Sequence, residues 1–163
     1  MDEEGLCNNK GIFIMKGMTI IVKKISQIIC PIIFIFGLYI IVHGHLTPGG
    51  GFSGGVILAG AFILQILSKG MLFSHLRNEE KGFEYLESSA IFGFLILAVL
   101  GLLLSGSFVF FENFMDKGTL GQLFSGGFIP IQNVIVGAEV CAAVSIIFMA
   151  LLAYKDEQDK EKK

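Results

Sequence analysis

Residues 89–111 read SAIFGFLILAVLGLLLSGSFVFF, an apolar run without one charged side chain. A helix needs about 20 apolar residues to cross the ~30 Å hydrocarbon core of a bilayer, so this run predicts a transmembrane helix. The composition agrees, because 53% of the 163 residues are hydrophobic and only 16% are charged. We therefore expect an integral membrane protein with little mass outside the bilayer. A disordered chain, a disulfide-stapled secreted domain and a nucleic-acid-binding protein are excluded.

Three further apolar stretches flank this run, and together they predict an all-α, polytopic membrane protein with four transmembrane helices. The predicted four-helix domain covers residues 25–154, between an N-terminal segment 1–24 and a charged tail 155–163. The four spans lie at about residues 25–42, 52–68, 89–111 and 131–154. The loops then fall at residues 43–51, 69–88 and 112–130.

The distribution of Lys and Arg predicts the orientation. With the N-terminus inside, only Lys117 of the twelve basic residues falls on the outer side. The positive-inside rule therefore assigns both termini and the loop 69–88 to the cytoplasm. No stretch resembles a cleavable signal peptide, and Met1, Met15 and Met18 are all acceptable starts for such a chain.

The connection between the first two spans is rich in glycine. It reads HGHLTPGGGFSGG over residues 43–55 and holds six of the 21 glycines. Gly49, Gly51 and Gly54 match the spacing G-x-G-x-x-G, but a long apolar run precedes them and no acidic residue follows about 20 positions later. We therefore exclude a dinucleotide-binding loop.

Small residues recur every four positions along the second span. Gly51, Gly55 and Ala59 form one such row, and Gly50 and Gly54 form another. Rows of this kind let another helix approach closely. Two interpretations remain open: a tight turn with a packing face, or a direct role in the passage of ions or protons. The residues assigned to this loop and packing face are Pro48, Gly49, Gly50, Gly51, Phe52, Gly54, Gly55 and Ala59.

Glu139 is the only acidic residue within a predicted span. A carboxylate at membrane depth is costly unless it is paired, hydrated or protonated. Gln132 lies two turns earlier on the same helix face, so the fourth span carries one narrow polar stripe. Glu139 is therefore a candidate relay for protons or sodium ions, or a carboxylate that pairs with a neighbouring subunit.

His43 and His45 lie at the outer end of the first span. Their spacing of two places them on different faces, so they are not expected to bind one metal ion together. Each could exchange protons at the mouth of a pathway, or could hold the loop and cap the carbonyl groups of the helix end. The sequence predicts no metal site, no cofactor and no catalytic constellation.

The stretch from Gly44 to Gly55 resembles the G-H-x-x-P-G-G-G-F-x-G-G signature of the B subunit of Mrp-type multisubunit cation/proton antiporters. The resemblance implies a small multi-pass subunit of a prokaryotic cell-membrane complex that moves sodium ions and protons. It also implies partner subunits of the A, C, D, E, F and G types. The same subunit type occurs in membrane-bound hydrogenases and related respiratory complexes, where redox subunits would be further partners.

Two other classes of function were weighed. The small-residue faces and Glu139 are compatible with a homo-oligomeric cation channel. However, one acidic residue per chain provides few groups to bind an ion along such a channel. An enzyme that acts on lipid needs clustered polar side chains at one interface, and only His43 and His45 offer them. We therefore expect a transport subunit without enzymatic activity of its own.

Overall fold

The computed structural model describes residues 19–46, 48–69, 73–104, 110–111, 118 and 126–161. These form four helices: α1 (Ile20–His43), α2 (Gly51–Lys69), α3 (Phe73–Leu104) and α4 (Ile129–Glu161). Each contains a stretch long and apolar enough to cross a membrane, and the described residues include no strand. The prediction of an all-α chain with four membrane-spanning helices is therefore confirmed. Residues 1–18, most of the loop 112–130 and Thr47 lie outside the described residues.

The helices are longer than the predicted spans, and α3 differs most. The stretch 69–88 was predicted as a loop, but α3 begins at Phe73. Residues 73–88 include four Glu and two Leu, which favour helix, but the charged residues lower the hydropathy, so an apolar-run criterion misses this stretch. The apolar window of α3 is Lys81–Leu104, earlier than the predicted 89–111, and Phe110 and Phe111 form a turn.

The four helices pack as an open row in the order α1, α2, α4, α3. The second helix contacts both α1 and α4, α1 also touches α4, and α3 packs on α4. Phe62 on α2 also reaches Phe83 in the first half of α3, with ring centroids 5.5 Å apart in an edge-to-face arrangement. Since α2 and α4 occupy the middle of the row, they form the centre of the fold.

The core is small and consists mostly of short side chains. Its centre is formed by Ile41 on α1, Leu58 and Ala59 on α2, and Cys141 on α4. Large apolar side chains instead cover the outer faces of α1 and α3, as the exposed Ile32 shows. In water such a surface would drive aggregation, but lipid or partner helices can cover it.

Candidate functional site

The structure brings the glycine-rich connection into a junction of three helices. The end of α1, the start of α2 and the first turns of α4 meet there. We call it the glycine junction, formed by Gly37, Gly44, Gly50, Gly51, Gly54, Gly55 and Gly137. Five of these belong to the signature at residues 44–55, while Gly37 and Gly137 come from α1 and α4.

The connection itself requires glycine at two positions. Gly50 has φ +139°, a backbone conformation that residues with a side chain rarely adopt. Its carbonyl accepts the Gly54 N–H at 3.1 Å and the Ser53 hydroxyl at 3.3 Å, which starts α2. At Gly44, an added Cβ would lie 2.5 Å from the Gly50 Cα. The turn therefore closes only because both residues lack a side chain.

One face of α2 lies directly on the backbone of α4. A Cβ at Gly55 would lie 2.6 Å from the Gly137 carbonyl oxygen and 2.9 Å from the Val140 Cβ. At Gly51 it would collide with the Asn133 carbonyl oxygen. Ala59 continues this row and is fully buried. The row of small residues four apart is thus the surface against which α4 packs.

A second face of α2 receives α1. A Cβ at Gly54 would lie 2.9 Å from the Gly37 carbonyl oxygen, and it would also collide with the Ile41 side chain. Ile41 is 3% exposed, and its Cδ1 would lie 2.5 Å from a Cβ at Gly137 on α4. Ile41 therefore fills the notch between Gly54 and Gly137 and joins all three helices.

Three signature residues lie away from these close contacts. Pro48 and Gly49 are exposed, and Phe52 is 68% exposed at the start of α2. A Cβ at Gly49 would lie 3.1 Å from the Ile40 side chain and at least 3.9 Å from any other neighbouring atom. The outward part of the signature is therefore available to lipid or to another subunit.

The two histidines have different surroundings. The His43 ring lies 3.1 Å from the Tyr39 carbonyl oxygen through Nδ1, the donor in this contact, and it stacks on the Tyr39 ring. This contact caps the end of α1. His45 turns towards Gly126, before α4, and both of its ring nitrogens are buried without a hydrogen-bond partner among the described residues.

Glu139 lies deeper in the membrane-spanning part of α4. It is ten residues after Ile129, or about 15 Å along the helix at 1.5 Å per residue. Successive residues are about 100° apart around a helix, so Glu139 lies to one side of the face of α4 that meets α2, and it shares a face with Gln132 and Ile135. The Ile135 Cδ1 would lie 3.8 Å from a Cβ added at Gly93, so this face of α4 is turned towards α3.

The Glu139 side chain is half-buried, and no hydrogen bond or ion pair joins it to another described residue. Glu139 is six residues, or about 9 Å, further along α4 than Asn133, whose amide nitrogen borders Gly44. The structure therefore gathers His43, His45 and the signature loop at one end, with Gln132 nearby and Glu139 separate. No three His, Cys, Asp or Glu side chains form a metal cluster within the described parts of the chain.

Sequence reasoning missed the partners of the signature glycines. Gly37, Ile41 and Gly137 complete the junction, but each looks like an ordinary residue of an apolar span. Gly37 lies seventeen residues before Gly54, and Gly137 lies much further along the chain, so no local spacing links them. Only the register of the packed helices identifies them.

Comparisons with known proteins show the family of this chain. A family described as a domain related to the MnhB subunit of the Na+/H+ antiporter matches residues 21–146, which include the whole glycine junction. The chain belongs to this MnhB-related family. The resemblance of residues 44–55 to the B-subunit signature is thereby confirmed.

Individual relatives extend the comparison. A candidate antiporter subunit, mnhB2, from several strains of Staphylococcus aureus is 34% identical over 72% of this chain and 74% of its own length. An uncharacterized protein of Methanocaldococcus jannaschii is 33% identical over 78% of this chain, but the match covers only half of that relative.

A solved structure shares the fold. One chain of the membrane-bound sulfane sulfur reductase, an archaeal respiratory membrane complex, has a TM-score of 0.70 and 31% identity. The match covers 88% of this chain and 62% of that chain. With four helices of membrane-spanning length, this member of the family is a multi-pass protein of the cell membrane.

Proposed function

We propose that this chain is a non-catalytic membrane subunit of a multisubunit Na+/H+ antiporter module, and that its glycine junction holds α1, α2 and α4 in a fixed register. The observation that carries the proposal is that most of the signature glycines lie at close contacts between helices. Gly44, Gly51, Gly54 and Gly55 each leave no room for a Cβ, and Gly50 has a positive φ. A motif used in this way serves the architecture of the subunit, and the family supplies the transport context.

The ion path in this proposal is formed together with other subunits. The row of four helices is open, and large apolar side chains remain exposed along α1 and α3. Such faces can pack against partners of the A, C, D, E, F and G types, with lipid on the remaining surface. We propose the orientation with both termini in the cytoplasm, because Lys117 is the only basic residue on the other side.

Glu139 is the group we propose for ion or proton transfer within this subunit. Its support is its depth of about 15 Å, half of a ~30 Å hydrocarbon core, and its freedom from ion pairs among the described residues. A half-buried carboxylate in this position is costly unless it has a function or a partner in the assembly. The competing interpretation is that Glu139 pairs with a cation of a neighbouring subunit.

The experiment uses Glu139→Gln and Glu139→Asp in the complete complex. Everted membrane vesicles report Na+/H+ exchange through a pH-sensitive dye, and a native gel reports the amount of complex. We expect Glu139→Gln to lower exchange at least tenfold with the complex intact, because the amide cannot carry a proton. Glu139→Asp keeps the carboxylate and should retain more activity. Normal exchange in Glu139→Gln, or loss of the complex, would contradict the relay role.

A second host complex is favoured by one observation. The solved relative with a TM-score of 0.70 is part of a respiratory complex, so the module could be driven by redox subunits of the hydrogenase or sulfur-reductase type. Affinity purification of this chain from its native membranes distinguishes the two hosts. Iron–sulfur subunits in the purified complex would support the respiratory host, and their absence from an active exchanger would support the antiporter.

A further inference from the structure

A cleft of about 420 Å³ lies between α1 and α2, at the ends of these helices opposite to the glycine junction. Neither the family signature nor the proposed relay includes it. Polar residues line its outer part, and two phenylalanines line its inner part. These six residues are Ser26, Gln27, Gln65, Ser68, Phe34 and Phe62.

The polarity of the cleft changes with depth. Ser26 lies two residues beyond Lys24 on α1, or about 3 Å along the axis, whereas Phe34 lies ten residues beyond it, or about 15 Å. The Phe34 and Phe62 rings meet edge to face with centroids 5.8 Å apart. The cleft therefore runs from the basic end of α1 to about the middle of a ~30 Å hydrocarbon core and ends at an aromatic pair.

Two polar groups in the cleft, the Ser26 hydroxyl and the Gln27 carbonyl, lack a usual hydrogen-bond partner among the described residues. Ser26 is only 4% exposed, and no hydrogen bond joins its hydroxyl to another described residue. Pro31 has no N–H, so it cannot donate the usual helical hydrogen bond to the Gln27 carbonyl. Ser68 is also buried, but its hydroxyl donates to the Gln65 carbonyl at 3.1 Å.

Lipid cannot meet these needs, because an acyl chain has no hydrogen-bonding groups. Water can, since Ser26, Gln27, Gln65 and Ser68 line the outer part of the cleft, and the whole cleft has room for on the order of ten molecules at ~30 Å³ each. We propose that this cleft is a water-filled half-channel that enters the subunit from the basic end of α1 and stops at the Phe34–Phe62 pair. Its ligand is water, and its neutral lining admits small hydrophilic solutes to the same depth.

Cys30 provides a probe within the cleft, because this residue lines it halfway between Ser26 and Phe34. The other two cysteines, Cys7 and Cys141, are replaced by alanine. The assembled complex in everted vesicles is treated with a charged, membrane-impermeant methanethiosulfonate. The Cys30 thiolate attacks the reagent's sulfenyl sulfur, forms a mixed disulfide and releases methanesulfinate. Because water favours the thiolate and admits the charged reagent, we expect Cys30 to be modified from the face where α1 begins.

The matched control is Ile32→Cys in a Cys30→Ala background. Ile32 is on the same helix, within about 3 Å of the depth of Cys30, but it does not line the cleft. In the chain alone Ile32 is 62% exposed and Cys30 only 8%. A water-filled cleft therefore predicts that the order of reactivity is opposite to the order of these exposed fractions. Cys30 should react at least tenfold faster than the cysteine of Ile32→Cys.

A second variant blocks the entrance. Ser26→Leu places a larger apolar side chain at the mouth of the cleft and should slow the labelling of Cys30 at least tenfold, with the amount of complex unchanged on a native gel. Failure of the charged reagent to label Cys30, while membrane-permeant N-ethylmaleimide labels it, would overturn the proposal in favour of a dry cleft.

Protection from both reagents would overturn the proposal as well, because a partner subunit would then cover the cleft. Equal labelling of Cys30 with and without Ser26→Leu would also contradict it. None of these measurements depends on ion exchange. A failure of the half-channel is therefore distinguishable from a failure of the proposed function.

Discussion

The close packing of α2 on α4 makes a quantitative prediction at Gly55. In Gly55→Ala the new Cβ would lie 2.6 Å from the Gly137 carbonyl oxygen, whereas ordinary contact begins at 3.4 Å. The helices must therefore separate by about 0.8 Å, and the obstacle is backbone that cannot rotate away. Overpacking of this kind costs about 1–3 kcal/mol.

The same helix offers a matched control. Gly60 has no atom within 4 Å of an added Cβ, so Gly60→Ala introduces no collision. Both variants gain the same helix propensity, about 0.8–1.0 kcal/mol for Gly to Ala, and this gain cancels in the comparison. The difference between them therefore isolates the overpacking term. It corresponds to a ratio of about 5- to 150-fold in the folding equilibrium, at 1.4 kcal/mol per factor of ten.

The assay is the survival of the complex during heating. The chain has no Trp, so a fluorescent fusion to its end and size-exclusion chromatography report the fraction that remains assembled. We expect Gly55→Ala to lose the complex several degrees below Gly60→Ala, and Gly55→Leu to prevent assembly altogether. Equal melting of the two alanine variants, or normal assembly of Gly55→Leu, would refute the close contact between α2 and α4.

Two further predictions concern the same junction. Gly50→Ala should destabilise the complex by about 1–3 kcal/mol through backbone strain alone, because φ is +139° and nothing lies within 4 Å of an added Cβ; the thermal assay checks it, and a melting point equal to that of Gly60→Ala would contradict it. Ile41→Ala should cost about 2–5 kcal/mol, because it empties the notch between Gly54 and Gly137. Ile35→Ala, at a side chain that is 67% exposed, should lower the melting point far less. Equal effects of the two variants would contradict the packing role of Ile41 in the glycine junction.

The fold could be predicted to the level of helices, because hydropathy reports the cost of placing residues in lipid. The same signal missed the start of α3 at residues 73–80, where charged residues with good helix propensity extend the helix beyond its apolar window. Hydropathy measures solubility in the membrane, whereas helix length also depends on propensity and capping. The two agree only where the helix remains inside the bilayer.

The candidate site was predictable only in part, for a related reason. The spacing of Gly51, Gly55 and Ala59 predicts that another helix packs closely on α2, since residues four apart share a helix face. The contact at Gly137 and the packing of Ile41 between Gly54 and Gly137 depend on the register between helices. No local sequence pattern encodes that register. The role we propose for Glu139 depends in addition on groups that other subunits would supply.

The central claim is that this chain works as one subunit of an ion-exchanging complex. The most direct measurement is Na+/H+ exchange in proteoliposomes that hold either the purified chain alone or the complex purified through a tag on the chain. The account predicts that the complex exchanges sodium ions for protons and that the chain alone moves neither. Cation conduction by a stable homo-oligomer of the chain alone would contradict it.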